Sequence, residues 1–169
     1  MGLAVAGALG FFVSLYLGFQ HAVDAGTSIC SVSEVFNCDT VNRSEYSEIA
    51  GIPIAFLGAG FYAAVVVVSL LGDRKPDAYG GSSALVLVGS VGAVAYSGFL
   101  AWASVQLGAW CLFCISLYGL NLILLVGSAL ATRSSGAIGE QLLAGVTGRD
   151  DKSSRTMVLT FCVAVAVSL

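Results

Sequence analysis

Cysteine carries the chemistry open to this chain. Five occur, at positions 30, 38, 111, 114 and 162. Cys111-Leu112-Phe113-Cys114 opens a long uncharged run, so the pair falls in the first turn of a helix. Unpaired amides and the helix dipole favour negative charge there. A C-x-x-C pair in that setting holds a stabilised thiolate, the nucleophile of disulfide exchange. At ~100° per residue from Cys111, Cys114 falls near ~300°, Tyr118 near ~340° and Asn121 near ~280°. The four share one face, which must turn to the bundle interior because polar groups avoid lipid. Tyr118 lies about 10 Å deeper than Cys111. Its phenol is a donor suited to a carbonyl on a lipid-soluble ligand, whereas Asn121 reads as a bond between helices.

Cys30 and Cys38 are separated by seven residues and sit in the polar stretch 22–52. Residues 39–50 form a short capping helix in this reading, with Asp39 as N-cap. Gly51-Ile52-Pro53 then turns the chain into the next span, with Pro53 at its first position. A loop dithiol of this kind reaches both an external partner and Cys111, which makes it a relay. Three other readings stay open. One is a pair of structural disulfides. Another is a four-cysteine zinc site, although zinc favours two short-spaced pairs. The third is an unrelated four-helix disulfide generator with its C-x-x-C in the first outer loop, the reverse of the order here. Cys162 reads as a buried free thiol and His21 as an interfacial side chain. Trp102, with Phe99, lies at about the depth of the C-x-x-C and is a candidate wall for a ring-shaped ligand.

The elements that position these residues follow from charge and hydropathy. The chain has 169 residues, 57% hydrophobic and only 10% charged. A soluble domain carries about 25% charged residues, so an ordinary soluble or disordered chain is excluded. Seven basic against ten acidic residues leave a net charge of −3 and no basic footprint for nucleic acid. Met1–Phe19 and Ile49–Gly72 hold no charge, and Ala78–Thr132 holds none over 55 residues. About 20 apolar residues cross a bilayer, so the last run must fold back, at Gln106–Trp110. Four spans result, near 2–21, 53–71, 82–105 and 111–131. A fifth apolar run, 157–169, is too short to cross and reads as a span cut by the end of this sequence. Period-two alternation is missing from these runs, which excludes barrel strands.

The expected fold is therefore all-α: a polytopic membrane four-helix bundle with an outer loop and capping helix, plus the start of a fifth transmembrane helix. Residues 1–132 form the bundle and 133–156 a cytoplasmic linker. Arg74, Lys75, Arg133, Arg149, Lys152 and Arg155 are six of the seven basic residues and fall on one side. That side is cytoplasmic by the positive-inside rule. The N-terminus is then inside, and four of the five cysteines face outside, where disulfides persist. Met1–Phe19 has no basic n-region and is read as a span, not a cleaved signal.

Asn37-Cys38, Val41, Ser44, Tyr46, Gly51-Ile52-Pro53, Ala55, Gly58 and Tyr62 resemble the first signature of the vitamin K epoxide reductase family. Cys30 stands at the expected distance before it. Trp110-Cys111-Leu112-Phe113-Cys114, with Tyr118 and Asn121, resembles the second. The similarity spans about residues 5–130. It implies a four-helix bundle around a quinone of the ubiquinone, menaquinone or phylloquinone type, in a membrane of the bacterial inner (plasma) type. It implies electron flow from a thioredoxin-like or disulfide-introducing protein to the loop cysteines, then to the C-x-x-C, then to the quinone. Carried over, Cys30 exchanges with the partner, Cys38 forms a transient disulfide with Cys111, and Cys114 reduces the quinone. Tyr118 bonds a quinone oxygen, and Ser44 and Asp39 line the mouth of the pocket. No metal is expected. Ile54 stands where animal members carry an asparagine, which favours simple quinone reduction over epoxide reduction. Many bacterial members continue through a fifth span into an outside thioredoxin-like domain, which this sequence does not contain.

Overall fold

The structure is a computed structural model and describes residues 1–23, 29–31, 33–49, 51–74 and 79–135. The expected linker beyond residue 135, the run 157–169 and Cys162 lie outside the described residues. Four long helices form the body: α1 (Gly2–Ala22), α3 (Ile54–Arg74), α4 (Tyr79–Leu107) and α5 (Leu112–Ser134). All four are long and apolar enough to cross a membrane. The expected four spans are thus present. Each extends by one to three residues at one end or more, because polar and small residues continue a helix beyond the hydrophobic window.

The bundle packs small residues around a core of Tyr62, Val65, Val68 and Leu124, and turns many other large apolar side chains outward. Val5, Leu9, Phe12 and Phe19 of α1 and Leu122, Ile123, Val126 and Leu130 of α5 are exposed. Lipid, not water, is the medium for such a surface. Where α1 meets α3, Gly10 lies against the Tyr62 ring so closely that an added Cβ would collide with it. Backbones approach closely at such small residues. Most helix serines spend their hydroxyls internally: Ser90, Ser97, Ser104 and Ser128 each donate to the carbonyl four residues back. Asn121 crosses between helices, donating to Ser97 Oγ at 2.9 Å and accepting from Tyr62 Oη at 2.7 Å. It is the interhelical tie its sequence position implied.

The described part of the 22–52 loop folds onto the end of the bundle that carries the cysteines. Its short helix α2 (Cys38–Asn42) starts earlier than expected, and Asn37 rather than Asp39 is the N-cap. The reason is reach: the Asn37 side-chain oxygen accepts from the Thr40 amide at 3.1 Å, while Asp39 Oδ2 accepts from Ser31 Oγ at 3.1 Å. The helix also stops early, giving way to a 3-10 turn (Glu45–Ser47) and a two-stranded antiparallel hairpin. In that hairpin β1 (Glu48–Ile49) pairs with β2 (Ile52–Pro53). Gly51 takes a φ of +82° at the hairpin tip, a conformation open to glycine. Pro53 therefore ends β2, and Ile54 opens α3. Gly108, at φ +64°, makes the fold-back between α4 and α5, inside the expected turn.

Three ties dock α2 on the end of α1. Asn42 Nδ2 donates to the Leu17 carbonyl at 2.8 Å. Arg43 Nη2 donates to the Gln20 carbonyl at 2.8 Å and also to that of Val23. His21 Nδ1 donates to the Asn42 carbonyl at 2.6 Å, and its Nε2 lies 3.0 Å from a Glu48 carboxylate oxygen. His21 is thus a loop tie as well as an interfacial side chain.

Candidate functional site

The site begins with backbone. Trp110 N–H donates to the Val35 carbonyl at 2.7 Å, and Asn37 N–H donates to the Trp110 carbonyl at 3.0 Å. Phe36 and Trp110 form a parallel bridge. This stitch brings the residue before α2 beside the residue before Cys111. Cys38 and Cys111 follow directly, and each is only 1% exposed. Cys30 and Cys38 are joined as a disulfide with Cα atoms 5.7 Å apart. Cys111 and Cys114 are free thiols. The Sγ atoms of Cys30, Cys38 and Cys111 all lie within 4.8 Å of one another. Such a trio resembles a set of metal ligands, but two of its sulfurs are already bonded to each other.

Cys111 is the N-cap of α5, and its Sγ accepts from the Cys114 amide at 3.2 Å. A cap sulfur in that position receives helix amides that stabilise the thiolate. The Cys111 thiol is held below its ordinary value, first by a hydrogen bond with the Cys114 side chain. Burial opposes this, and the amides of Cys114 and Phe113 assist it. Sequence had put both cysteines inside the first turn; in the structure Cys111 caps it and Cys114 lies within.

Below the cysteines lies a cavity of about 460 Å³. All four long helices and the loop segment Val41–Ile49 contribute to its wall. Cys114, Tyr118 and Asn121 project into it from one face of α5, as their angular spacing required. The remainder of the wall is largely apolar, including Leu17, Ile54, Phe61 and Leu100. Tyr118 Oη is buried and has no hydrogen-bond partner among the described residues.

Three expected contact residues stand off this wall. Ser44 Oγ donates to the Val41 carbonyl at 2.8 Å. Asp39 faces Ser31 and lies 3.9 Å from the Arg43 guanidinium. Trp102 is 52% exposed and packs edge-on against Tyr46, with ring centroids 6.2 Å apart. From the loop, Val41, Asn42, Ser47 and Ile49 line the cavity instead. Asn42, Tyr96 and Ser14 also line the cavity, and the motifs of the sequence do not mark them. For Ser14 the available signal was a polar residue inside an apolar span.

A membrane helix bundle that holds a buried disulfide against a helix-capping thiol, above an apolar cavity, is a thiol oxidoreductase architecture. Residues 1–129 match the vitamin K epoxide reductase family, and the chain belongs to it. It is an integral membrane thiol oxidoreductase. No curated protein matches the chain.

Proposed function

We propose that this protein is a membrane thiol:quinone oxidoreductase that makes disulfides in a thioredoxin-like partner, in support of oxidative protein folding. The supporting observation is the 4.8 Å grouping of the Cys30, Cys38 and Cys111 sulfurs. A disulfide needs about 2.05 Å, so a small shift of Cys38 exchanges its bond from Cys30 to Cys111. In the forward direction, a thiolate of the partner attacks Cys30 and releases Cys38. The partner's second thiol then displaces Cys30, and the partner leaves oxidised. The reduced loop dithiol next passes two electrons to a Cys111–Cys114 disulfide, through a mixed Cys38–Cys111 bond that Cys30 resolves. Cys30 is buried beside the exposed Ile29, so partner access requires the residues that cover its sulfur to part.

The cavity residues fit a quinone. The volume lies in the range of small-molecule sites, the wall is apolar, and Tyr118 offers an unspent donor. A quinone held there would supply a two-electron, two-proton acceptor. Cys114 lies on the cavity wall and Cys111 does not, so Cys114 is the thiol that meets the ring. The apolar wall excludes water, and Tyr118 orients the ring by one oxygen. Asp39, Ser44 and Trp102 hold the loop and its neighbours in shape. Ile54, on the wall, offers no polar group, which supports plain quinone reduction. Residues 1–132 make up this unit. Arg74 and Arg133 end α3 and α5 at the opposite face, which supports a cytoplasmic placement for that face and a periplasmic or exterior one for the cysteines.

Purified protein given a reduced thioredoxin-like partner should bleach quinone absorbance. Cys114→Ala should abolish turnover, read as loss of the quinone bleaching. Full turnover in Cys114→Ala would refute the role given to that thiol.

A further inference from the structure

Four buried polar side-chain atoms have no hydrogen-bond partner among the described residues, and two of them, Ser14 Oγ and Tyr118 Oη, belong to residues lining the same cavity. A buried polar group without a partner is costly and calls for an explanation. Ser14 is completely buried. Its hydroxyl is unlike those of Ser90, Ser97, Ser104 and Ser128, which donate to the carbonyl four residues back. Gly58 stands opposite it, and a Cβ there would lie 3.1 Å from Ser14 Oγ. The glycine leaves the hydroxyl uncrowded.

The two oxygens belong to different helices, α1 and α5, and both residues line the cavity that Cys114 also lines. Cys114 stands about one helical turn from Tyr118 on α5, about 6 Å along the axis.

We propose that Ser14 is a second oxygen-recognition residue of this cavity, donating to one carbonyl oxygen of a para-quinone ring while Tyr118 donates to the opposite one. This rests on the quinone reading. Two opposed donors fix the ring's in-plane orientation beneath Cys114, which a single donor leaves free to swing. They also select ligands with two opposed acceptors over monoketones of similar size.

The test uses the oxidised full chain and 2,3-dimethyl-1,4-naphthoquinone carrying ¹³C at its carbonyls, read by isotope-edited infrared difference spectra. Both carbonyl stretches should lie below their values in hydrocarbon when the quinone is bound. Ser14→Ala should return one population of carbonyls to the free frequency and Tyr118→Phe the other. Each variant should weaken binding about 5-fold, the worth of one neutral hydrogen bond. Exchange of the Cys30–Cys38 disulfide with a small dithiol should stay unchanged in Ser14→Ala, since a general structural defect would alter it. Unshifted bands in Ser14→Ala overturn the Ser14 assignment alone. Failure of the unaltered protein to bind any quinone overturns the quinone reading beneath it.

Discussion

Replacing Arg43 by alanine should release the redox loop from the bundle. The guanidinium holds two carbonyls at the end of α1, those of Gln20 and Val23, where a cation also complements the helix dipole. Hydrogen bonds from a charged donor contribute about 1.5–3 kcal/mol each when buried. The side chain is 28% exposed, so water recovers part of that. A loss of about 2–4 kcal/mol in docking is reasonable after that discount. At ~1.36 kcal/mol per tenfold, the opening equilibrium of α2 rises about 30-fold to 1,000-fold. Amide hydrogen exchange reads this directly. The amides of Arg43 and Ser44, bonded to the Asp39 and Val41 carbonyls, should lose protection by that factor, while those inside α4 and α5 keep theirs. The argument fails if the variant folds and the Arg43 and Ser44 positions exchange at the unaltered rate. It also fails if protection falls equally throughout the bundle, since that would make Arg43 a global support.

Two further outcomes follow from the geometry. With the loop disulfide intact, modification of Cys111 by a small methanethiosulfonate should rise with pH through an inflection below the free thiol value of ~8.5, because the Cys114 hydrogen bond and helix amides favour the thiolate. Cys114→Ala should move that inflection up, and an unaltered protein inflecting at or above the free value refutes the capping argument. By the same linkage, the stabilisation lent to the reduced fold is complete above the unfolded-state value and is lost as pH falls through the lower folded one. At the bundle's centre, Gly10→Val should cost about 1–3 kcal/mol through overpacking against Tyr62. It should lower the thermal midpoint in detergent and loosen the Tyr62–Asn121 bond; an unchanged midpoint would show that the ring moves aside without cost.

The bundle was legible in the chain because its signals are local. Uncharged runs report span length, a backbone in lipid must bond within its own helix, and a lone glycine marks the fold-back at residue 108. The inward face of α5 was legible too, since Cys114, Tyr118 and Asn121 are tied by helical period alone. Contacts between distant segments are another matter. Asp39 is as good a cap by residue type as Asn37, and only the position of Ser31 decides which of them turns to the helix. Trp102 is half exposed and packs on Tyr46, off the cavity lining, a rotation of α4 that neighbouring helices choose. The stitch between Val35–Asn37 and Trp110 is made of backbone atoms, which carry no residue signature, and yet it sets Cys38 beside Cys111. Ser14 was one of many small polar residues in apolar spans. Its lack of an internal partner, and the glycine that keeps it open, exist only once α1 and α3 have packed.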